Sequence, residues 1–167
     1  MPTADFHLAQ VNVARARGQP NEPVMADFMA ALPEINALAE RSPGFVWRLQ
    51  TEDGDATAIR PYGDPLILIN LSLWRDLDAL REYVFRSDHA GYMRRRREWF
   101  ERRERVYLAL WWVPAGHIPT IGEAVERLAH LEAHGPTPVA FGFAQPFGPD
   151  GRPLPRGAAA GDSCPAG

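Results

Sequence analysis

The chain has 167 residues and a net charge of −3, and all 18 of its basic residues are arginine. Apolar residues make up 46% and charged residues 23%, proportions typical of a single globular domain of this length. The absence of lysine excludes Schiff-base chemistry, and the single cysteine, Cys164, excludes a disulfide scaffold. The acidic balance gives no overall positive field, so we expect no nucleic-acid partner.

The sequence also bears on location. No apolar run approaches the roughly 20 residues that span a bilayer. The first residues have neither the basic nor the long apolar region of a secretory signal. We therefore expect a cytoplasmic protein with no membrane partner.

Four segments alternate or concentrate apolar residues in the manner of β-strands. They are residues 7–14, 45–50, 66–74 and 106–113. A short additional strand is expected at residues 56–60, where the chain returns after the turn signal Asp53-Gly54.

Three segments carry apolar residues at the spacing of amphipathic helices. They are residues 21–39, 76–103 and 120–134. Asn21 is a suitable N-cap for the first helix, in which Pro33 predicts a kink or two consecutive pieces. Thr120 and Glu123 match a capping box at the start of the third helix, and Gly135 ends it.

The element order is β-α-β-β-α-β, followed by an appendage of one helix and a short strand at residues 139–144. The first six elements form a ferredoxin-like unit, so we predict an α+β fold with one sheet, in a domain over residues 1–147. Nine of the twenty residues at 148–167 are glycine or proline, which predicts a disordered tail.

The second long helix carries an aromatic stripe that includes an imidazole and a guanidinium. Steps of three and four from Phe85 give His89, Tyr92, Met93, Arg96, Trp99 and Phe100. If the stripe is one wall of a cleft, His89 offers a general acid/base or an axial ligand, and Arg96 an anion clamp. If it belongs to the core, His89 bonds a backbone carbonyl and Arg96 reaches a carboxylate. The sequence leaves both interpretations open.

The same helix contains four consecutive arginines at residues 94–97, with glutamates shortly after them. Because four consecutive side chains point all round a helix, they cannot form one strip that follows a phosphate backbone. The spacing instead predicts ion pairs between Glu98 and Arg102 and between Glu101 and Arg105. We therefore expect a solvated, salt-bridged face.

Polar residues interrupt strand faces that are otherwise apolar; they are Gln10, Asn12, Asn70 and Ser72. Each needs a partner if buried, and that partner can be protein, water or ligand. Five tryptophans suit either a pocket for a flat apolar ligand or a subunit interface. They are Trp47, Trp74, Trp99, Trp111 and Trp112.

A metal site is not expected. Glu126, His130 and His134 have a suitable spacing, but they lie opposite the apolar stripe of their helix, on its solvent side. Glycine-rich phosphate loops, nucleophile elbows and paired cysteines are also missing from the sequence. The sequence therefore gives no support to nucleotide cofactors or acyl-enzyme chemistry.

Several segments resemble a bacterial domain-of-unknown-function family, number 3291, over residues 7–147. They are HLAQVNVA, SPGFVWRLQ, NLSLW, RSDHAGYMRRRREWF, LALWWVPAGHIPT and HGPTPVAFGF, in this order. That family is similar to the dimeric α+β barrel superfamily, which includes antibiotic-biosynthesis and haem-degrading monooxygenases. The resemblance implies two ferredoxin-like subunits whose sheets pack into a shared barrel, with a pocket between sheet and helices in each. A homodimer is also expected because one ferredoxin-like sheet leaves a whole face uncovered.

The haem degraders of this superfamily use an asparagine on the first strand, and a tryptophan and an axial histidine on the second long helix. Asn12 matches the first of these positions. Tyr83 stands near the second, and Tyr92 or Arg94 near the third, while His89 lies about one turn earlier. This comparison makes haem the alternative cofactor.

The arrangement of Trp74 before a helix that contains the run Ser87-Asp88-His89 resembles that of the quinol-type monooxygenases, which need no cofactor. In such a mechanism His89 takes a phenolic proton, and the electron-rich anion reacts directly with oxygen. Asn12 and Asn70 stabilise the developing oxyanion, and Arg96 holds the charged end of the substrate.

The leading hypothesis is an enzyme of secondary metabolism that acts on a hydrophobic aromatic or polyketide-like small molecule without a cofactor. The reaction is a monooxygenation or, in the same pocket, a cyclisation or dehydration. The alternatives are a non-catalytic small-ligand-binding protein of this fold and a haem-binding or haem-degrading protein. The expected catalytic residues are His89, Asn12 and Asn70. The expected substrate-binding residues are Trp47, Trp74, Tyr83, Tyr92, Arg96 and Trp99.

Overall fold

Four strands form one antiparallel sheet in the order β2-β3-β1-β4 in the computed structural model, which describes residues 5–102 and 105–156, with Ala90 by its backbone only. The strands are β1 (Phe6–Arg15), β2 (Phe45–Arg48), β3 (Ile67–Trp74) and β4 (Leu108–Pro114). Helices connect β1 to β2 and β3 to β4, which is the ferredoxin-like arrangement. The predicted α+β class and element order are therefore confirmed.

The first helical segment begins with a 3-10 turn (Pro23–Met25) and continues as α1 (Ala26–Arg41). Pro33 lies inside α1 and does not divide it, so of the two predicted alternatives the division into consecutive pieces is wrong. Proline removes one helical hydrogen bond, but the buried face of α1 holds the helix together. That face consists of Phe28, Leu32, Ile35 and Ala39. The predicted cap is also displaced, since Glu22 rather than Asn21 is the N-cap residue.

The long helix predicted over residues 76–103 is broken into short pieces. They are α2 (Leu77–Arg81), a π-helical turn (Glu82–Arg86), α3 (His89–Arg94) and α4 (Arg96–Trp99). Ser87 adopts an extended conformation; its hydroxyl donates to the Tyr83 carbonyl and accepts from the His89 N–H at 3.2 Å. These local bonds replace helical ones and end the helical run at this point.

The predicted ion pairs of the arginine-rich segment are wrong, because the helix ends at Trp99. Glu98 pairs instead with Arg95 at 2.8 Å, and Glu101 with Arg15 at 2.8 Å. Arg105 reaches Glu132 on the final helix at 3.2 Å. Without a continuous helix, the four-residue spacing no longer places the expected partners next to each other.

The final helix, α5 (Ile121–His134), forms as predicted, with Thr120 accepting from the Glu123 N–H at 3.1 Å. It packs Ala124, Leu128 and Leu131 on one face of the sheet. That face is at most 5% exposed and consists of Ala9, Val11, Val13, Ile69, Leu71, Leu73, Ala109, Trp111 and Val113. The expectation that one sheet face is uncovered is therefore wrong. The homodimer itself stays a prediction of the sequence, and the physical reason given for it does not hold in this structure.

The opposite face of the sheet points towards the helices that precede β4. It carries Leu8, Gln10 and Asn12 on β1, paired in register with Trp74, Ser72 and Asn70 on β3. The polar residues of β3 thus lie on the helix side of the sheet and not on the face that α5 covers. Trp112 also lies on the helix side, with its Nε1 donating to the Phe147 carbonyl at 2.8 Å.

Two predicted strands are reduced or missing. Residues 56–60 form turns, because Asp55 accepts from both the N–H and the hydroxyl of Thr57, which curls the chain. Residues 139–144 contribute isolated bridges only, including one between Leu110 and Phe141. Among the described residues, no helix is long and apolar enough to cross a bilayer.

The structure differs from the predicted disordered tail at residues 148–156. The Gly148 N–H donates to the Arg152 carbonyl and the Leu154 N–H to the Pro146 carbonyl, both at 2.8 Å. Leu154 then packs on the cluster that contains Phe141. Glycine and proline here favour tight turns rather than disorder, and Gly151 takes a φ of 80°. Residues 157–167, including Cys164, lie outside the described residues.

Candidate functional site

A narrow cleft lies between the helix-facing side of the sheet and helices α1 to α3. The residues that matter for its chemistry are Gln10, Asn12, Asn70, Trp74, Tyr83 and His89. Strand pairing aligns Asn12 with Asn70, and the alternation of β1 places Gln10 on the same side. The cleft therefore contains all three expected catalytic residues, which the sequence placed on two strands and a helix.

A buried hydrogen-bond chain fixes the polar side of the cleft. Trp74 Nε1 donates to Ser72 Oγ at 2.9 Å, and Ser72 Oγ bonds Gln10 Oε1 at 2.9 Å. An indole N–H can only donate, so the single proton of Ser72 goes to Gln10 Oε1. This order of donors holds the Gln10 amide with its Nε2 directed away from Ser72.

Two polar atoms of the cleft are left without partners. Gln10 Nε2 and Asn12 Oδ1 are both buried, and neither has a hydrogen-bond partner among the described residues. Each residue is only 4% exposed. A buried unsatisfied polar atom costs about 1–3 kcal/mol, so both atoms require a partner from outside the described residues, which can be water or a ligand. Gln10 Nε2 is a hydrogen-bond donor and Asn12 Oδ1 is an acceptor.

His89 completes the cleft through an aromatic stack. The rings of Trp74 and Tyr83 are stacked at 4.9 Å, and the His89 ring lies 4.8 Å from Tyr83. His89 is 4% exposed, with Nδ1 at 3.4 Å from the Val84 carbonyl. Since a carbonyl only accepts, Nδ1 carries the proton and Nε2 keeps a lone pair.

The electrostatics of His89 favour its neutral form. Burial lowers the pKa of the imidazole below its ordinary value, against a smaller opposing effect of the Val84 bond. A neutral imidazole at physiological pH can accept a proton from a bound substrate. Both interpretations from the sequence thus apply in part, because His89 bonds a backbone carbonyl and also lines the cleft.

The remaining stripe residues line a smaller space on the other side of His89. Tyr92, Arg96 and Trp99 meet there with Phe28. Although the helix breaks after residues 86 and 94, all members of the aromatic stripe except the first therefore stay close together in space. Phe85 leaves it to pack edge-on against Phe143 at 5.2 Å.

Trp47 lies outside the cleft. The strand register shifts between Phe45 and Trp47, so Phe45 packs against Trp74 while Trp47 packs on the opposite face of the sheet. This bulge reverses the side to which the second half of β2 points. The predicted substrate-binding role of Trp47 is not supported by this placement, whereas Trp74 and Tyr83 are in the cleft.

The cleft is closed in this structure. Its two connected spaces, which share Asn12 and Asn70, have cavity volumes of about 40 and 30 Å³, and the space beside Arg96 about 10 Å³. These volumes hold a few waters, whereas ligand pockets measure about 300–1,000 Å³. The packing around His89 leaves no room for a haem, which is far larger than these spaces. Within the described ranges, no group of three or more His, Cys, Asp or Glu residues could hold a metal ion.

Two polar residues of the site were missing from the predicted site. Gln10 and Ser72 form the hydrogen-bond chain, and their signal was present in the sequence as polar positions on apolar strand faces. Asn36 of α1 also lines the cleft. Nothing in the sequence distinguishes Asn36 from any other polar residue of an amphipathic helix, because its role depends on where α1 crosses the sheet.

Solved structures with similar architecture were identified by comparison. SnoaB, a cofactor-independent oxygenase from Streptomyces nogalater, is 19% identical, with 67% of this chain and 95% of that chain covered and a TM-score of 0.42. Rv0793 from Mycobacterium tuberculosis is 15% identical, with 68% and 99% covered and a TM-score of 0.44. A Nitrosomonas europaea protein proposed to be an antibiotic biosynthesis monooxygenase is 11% identical, with 72% and 99% covered and a TM-score of 0.45.

No curated protein matches this chain. A family described as "Domain of unknown function (DUF3291)" matches it over residues 7–156. The match includes every strand and helix described above except Phe6, the first residue of β1, and it extends through the folded segment at residues 148–156. The resemblance noted in the sequence is confirmed, and the chain belongs to the DUF3291 family.

Proposed function

We propose that the cleft binds the hydroxyl end of a hydrophobic aromatic small molecule and that His89 removes the hydroxyl proton. The observation that carries the proposal is the pair of unsatisfied atoms, Gln10 Nε2 and Asn12 Oδ1. A phenol or enol hydroxyl accepts from Gln10 Nε2 while its single proton is directed to His89 Nε2, and a neighbouring hydroxyl of the same substrate donates to Asn12 Oδ1, so a polyhydroxylated aromatic satisfies both atoms. The apolar part of the substrate would pack against Trp74 and Tyr83.

The proposed reaction is a cofactor-independent oxygenation. Neutral His89 takes the proton at Nε2, and Gln10 Nε2 donates a hydrogen bond to the oxyanion that forms. The ring carbon that gains electron density reacts with O₂. For an anthrone, the methylene carbon becomes a carbonyl: one oxygen atom stays in the product, the other leaves as water, and the substrate supplies all four electrons. Asn70, opposite Asn12, assists in holding the oxyanion.

The substrate must open the cleft to enter it. The wall formed by residues 82–99 is the part best suited to move, because it contains the π-helical turn and the break at Ser87. Interrupted helical hydrogen bonds reduce the cost of displacing such a segment. We therefore expect binding to be accompanied by a shift of Tyr83 and His89.

The test measures oxygen uptake and absorbance with dithranol, a dihydroxyanthrone, and with a hydroxynaphthalene. We expect uptake without added flavin, metal or reductant, and a loss of about 100-fold or more for His89→Gln. Asn12→Leu should weaken binding, while His134→Gln, at an exposed helix end, should behave as wild type. Equal turnover by His89→Gln and wild type would refute the assignment of the base. Binding of these compounds without turnover would favour a non-catalytic ligand-binding protein.

A further inference from the structure

A second and larger concavity lies on the outer side of residues 84–102, with a volume of about 730 Å³. We call it the arginine groove. Its cationic residues are Arg17, Arg94, Arg96, Arg97 and Arg102. Its apolar residues are Val84, Phe85, Met93, Phe100 and Tyr107. None of the described residues that line the groove is acidic.

Most of the positive charge of the groove is not neutralised by carboxylates of the described residues. Among the described residues, Arg17, Arg94, Arg97 and Arg102 form no ion pair, although Arg17 Nε donates to the Arg97 carbonyl at 2.8 Å. The two nearest glutamates in sequence are engaged by arginines outside the groove. Glu98 pairs with Arg95 and Glu101 with Arg15, each at 2.8 Å.

The groove combines this charge with an apolar floor. Phe100 and Val84 are buried at 2% and 3% exposure, and Arg96 lies over the Tyr107 ring with Cζ at 5.4 Å from its centroid. Like charges that share a cavity repel one another, so an anion that binds among them is favoured. The volume falls within the range of about 300–1,000 Å³ seen for small-molecule pockets.

We propose that the arginine groove binds an organic phosphate joined to an apolar chain or ring. A phosphate monoester carries about −1.5 to −2 charges at neutral pH and accepts bidentate hydrogen bonds from guanidinium groups, so it neutralises several arginines at once. A carboxylate offers only a single charge. The apolar part of the ligand lies on Phe85, Met93 and Tyr107. This binding does not depend on the proposed reaction, although Val84 and Phe100 line both the groove and the spaces of the cleft, and its test needs no turnover.

The experiment is titration calorimetry with ligands that differ in one part at a time. Octyl phosphate tests the whole ligand, octanoate changes the head group, inorganic phosphate removes the tail, and octyl glucoside removes the charge. We expect octyl phosphate to bind most tightly and octyl glucoside not at all. The affinity for octyl phosphate should fall as salt is raised, because salt screens exposed charges.

Variants then locate the site. The double change Arg94→Gln and Arg97→Gln should weaken octyl phosphate binding by about tenfold or more. A control with the same change of net charge, Arg41→Gln with Arg75→Gln, removes exposed arginines outside the groove and should bind as wild type. Equal binding of octyl glucoside would overturn the proposal, as would equal binding of inorganic phosphate (an adventitious anion only) or unchanged binding by the groove variant. Tighter binding of a single-stranded oligonucleotide than of octyl phosphate would also overturn it.

Discussion

At the scale of single residues, the chemistry of the cleft depends on burial. His89 is solvated in an unfolded chain, but in the fold it is enclosed by Tyr83 and the Val84 carbonyl. The carbonyl determines the tautomer, and desolvation favours the neutral form of the ring. His89 is therefore a neutral base that faces the buried cleft.

The lowered pKa of His89 has a consequence for stability. Below the ordinary histidine pKa of about 6.5, the unfolded state binds a proton that the folded state does not, so the free energy of unfolding falls as pH falls. Above about pH 6.5 both states are neutral and this contribution is constant. We expect His89→Gln to show a shallower loss of stability than wild type between neutral and mildly acidic pH, measured by urea denaturation.

His134→Gln serves as the matched control for this measurement. His134 is exposed at the end of α5, so the same substitution there reports any effect of replacing histidine by glutamine that does not depend on burial. A pH profile of His89→Gln that coincides with wild type would contradict a buried neutral imidazole in the fold.

At the scale of elements, the segment at residues 146–154 behaves as a small folded unit. Its two turns are closed by backbone hydrogen bonds, and Leu154 packs half-buried against the core. Half-burial of a leucine contributes about 1 kcal/mol. This segment therefore adds to the stability of the domain although its composition resembles that of a linker.

We expect truncation after residue 147 to lower the melting temperature by roughly 2–4 °C relative to truncation after residue 156, since about 1 kcal/mol corresponds to such a shift in a domain of this size. Both proteins lack residues 157–167, so the comparison isolates the folded segment. Differential scanning calorimetry is the suitable measurement. Equal melting temperatures would show that Leu154 contributes nothing.

At the scale of the whole molecule, α5 occupies the sheet face on which a second subunit would pack. Trp111 is fully buried and Val113 is 2% exposed within one chain. Helix α5 would have to leave before two such sheets could meet, and this would expose Ala124, Leu128 and Leu131 as well. The apolar area that usually drives such an association is already buried in the monomer.

We therefore expect sedimentation of the full chain at micromolar concentrations to give the mass of one chain. Truncation after residue 119 removes α5 and uncovers the face around Trp111, so that protein should self-associate or aggregate. Sedimentation of the full chain at twice its mass would contradict this expectation and support the homodimer expected from the sequence.

The sequence by itself determined the four strands of the sheet, the element order and the capped final helix. Alternation in β1 and β3 and the capping box of Thr120 depend on neighbours within a few residues, so local chemistry is sufficient to specify them. The same alternation marked Asn12 and Asn70 as polar positions on a buried sheet. These two residues and His89 were therefore predictable as members of a site.

Only the tertiary structure decided how those parts combine. A register shift sends Trp47 to the far side of the sheet, Ser87 breaks a helix whose periodicity is uninterrupted, and α5 covers a face that the ferredoxin-like pattern leaves open. The unsatisfied Gln10 Nε2 also arises in this way, because Ser72, distant in sequence, takes the other end of the amide. Each outcome depends on which groups compete for the same space or the same hydrogen bond, and residues far apart in the sequence become competitors only when the chain has folded.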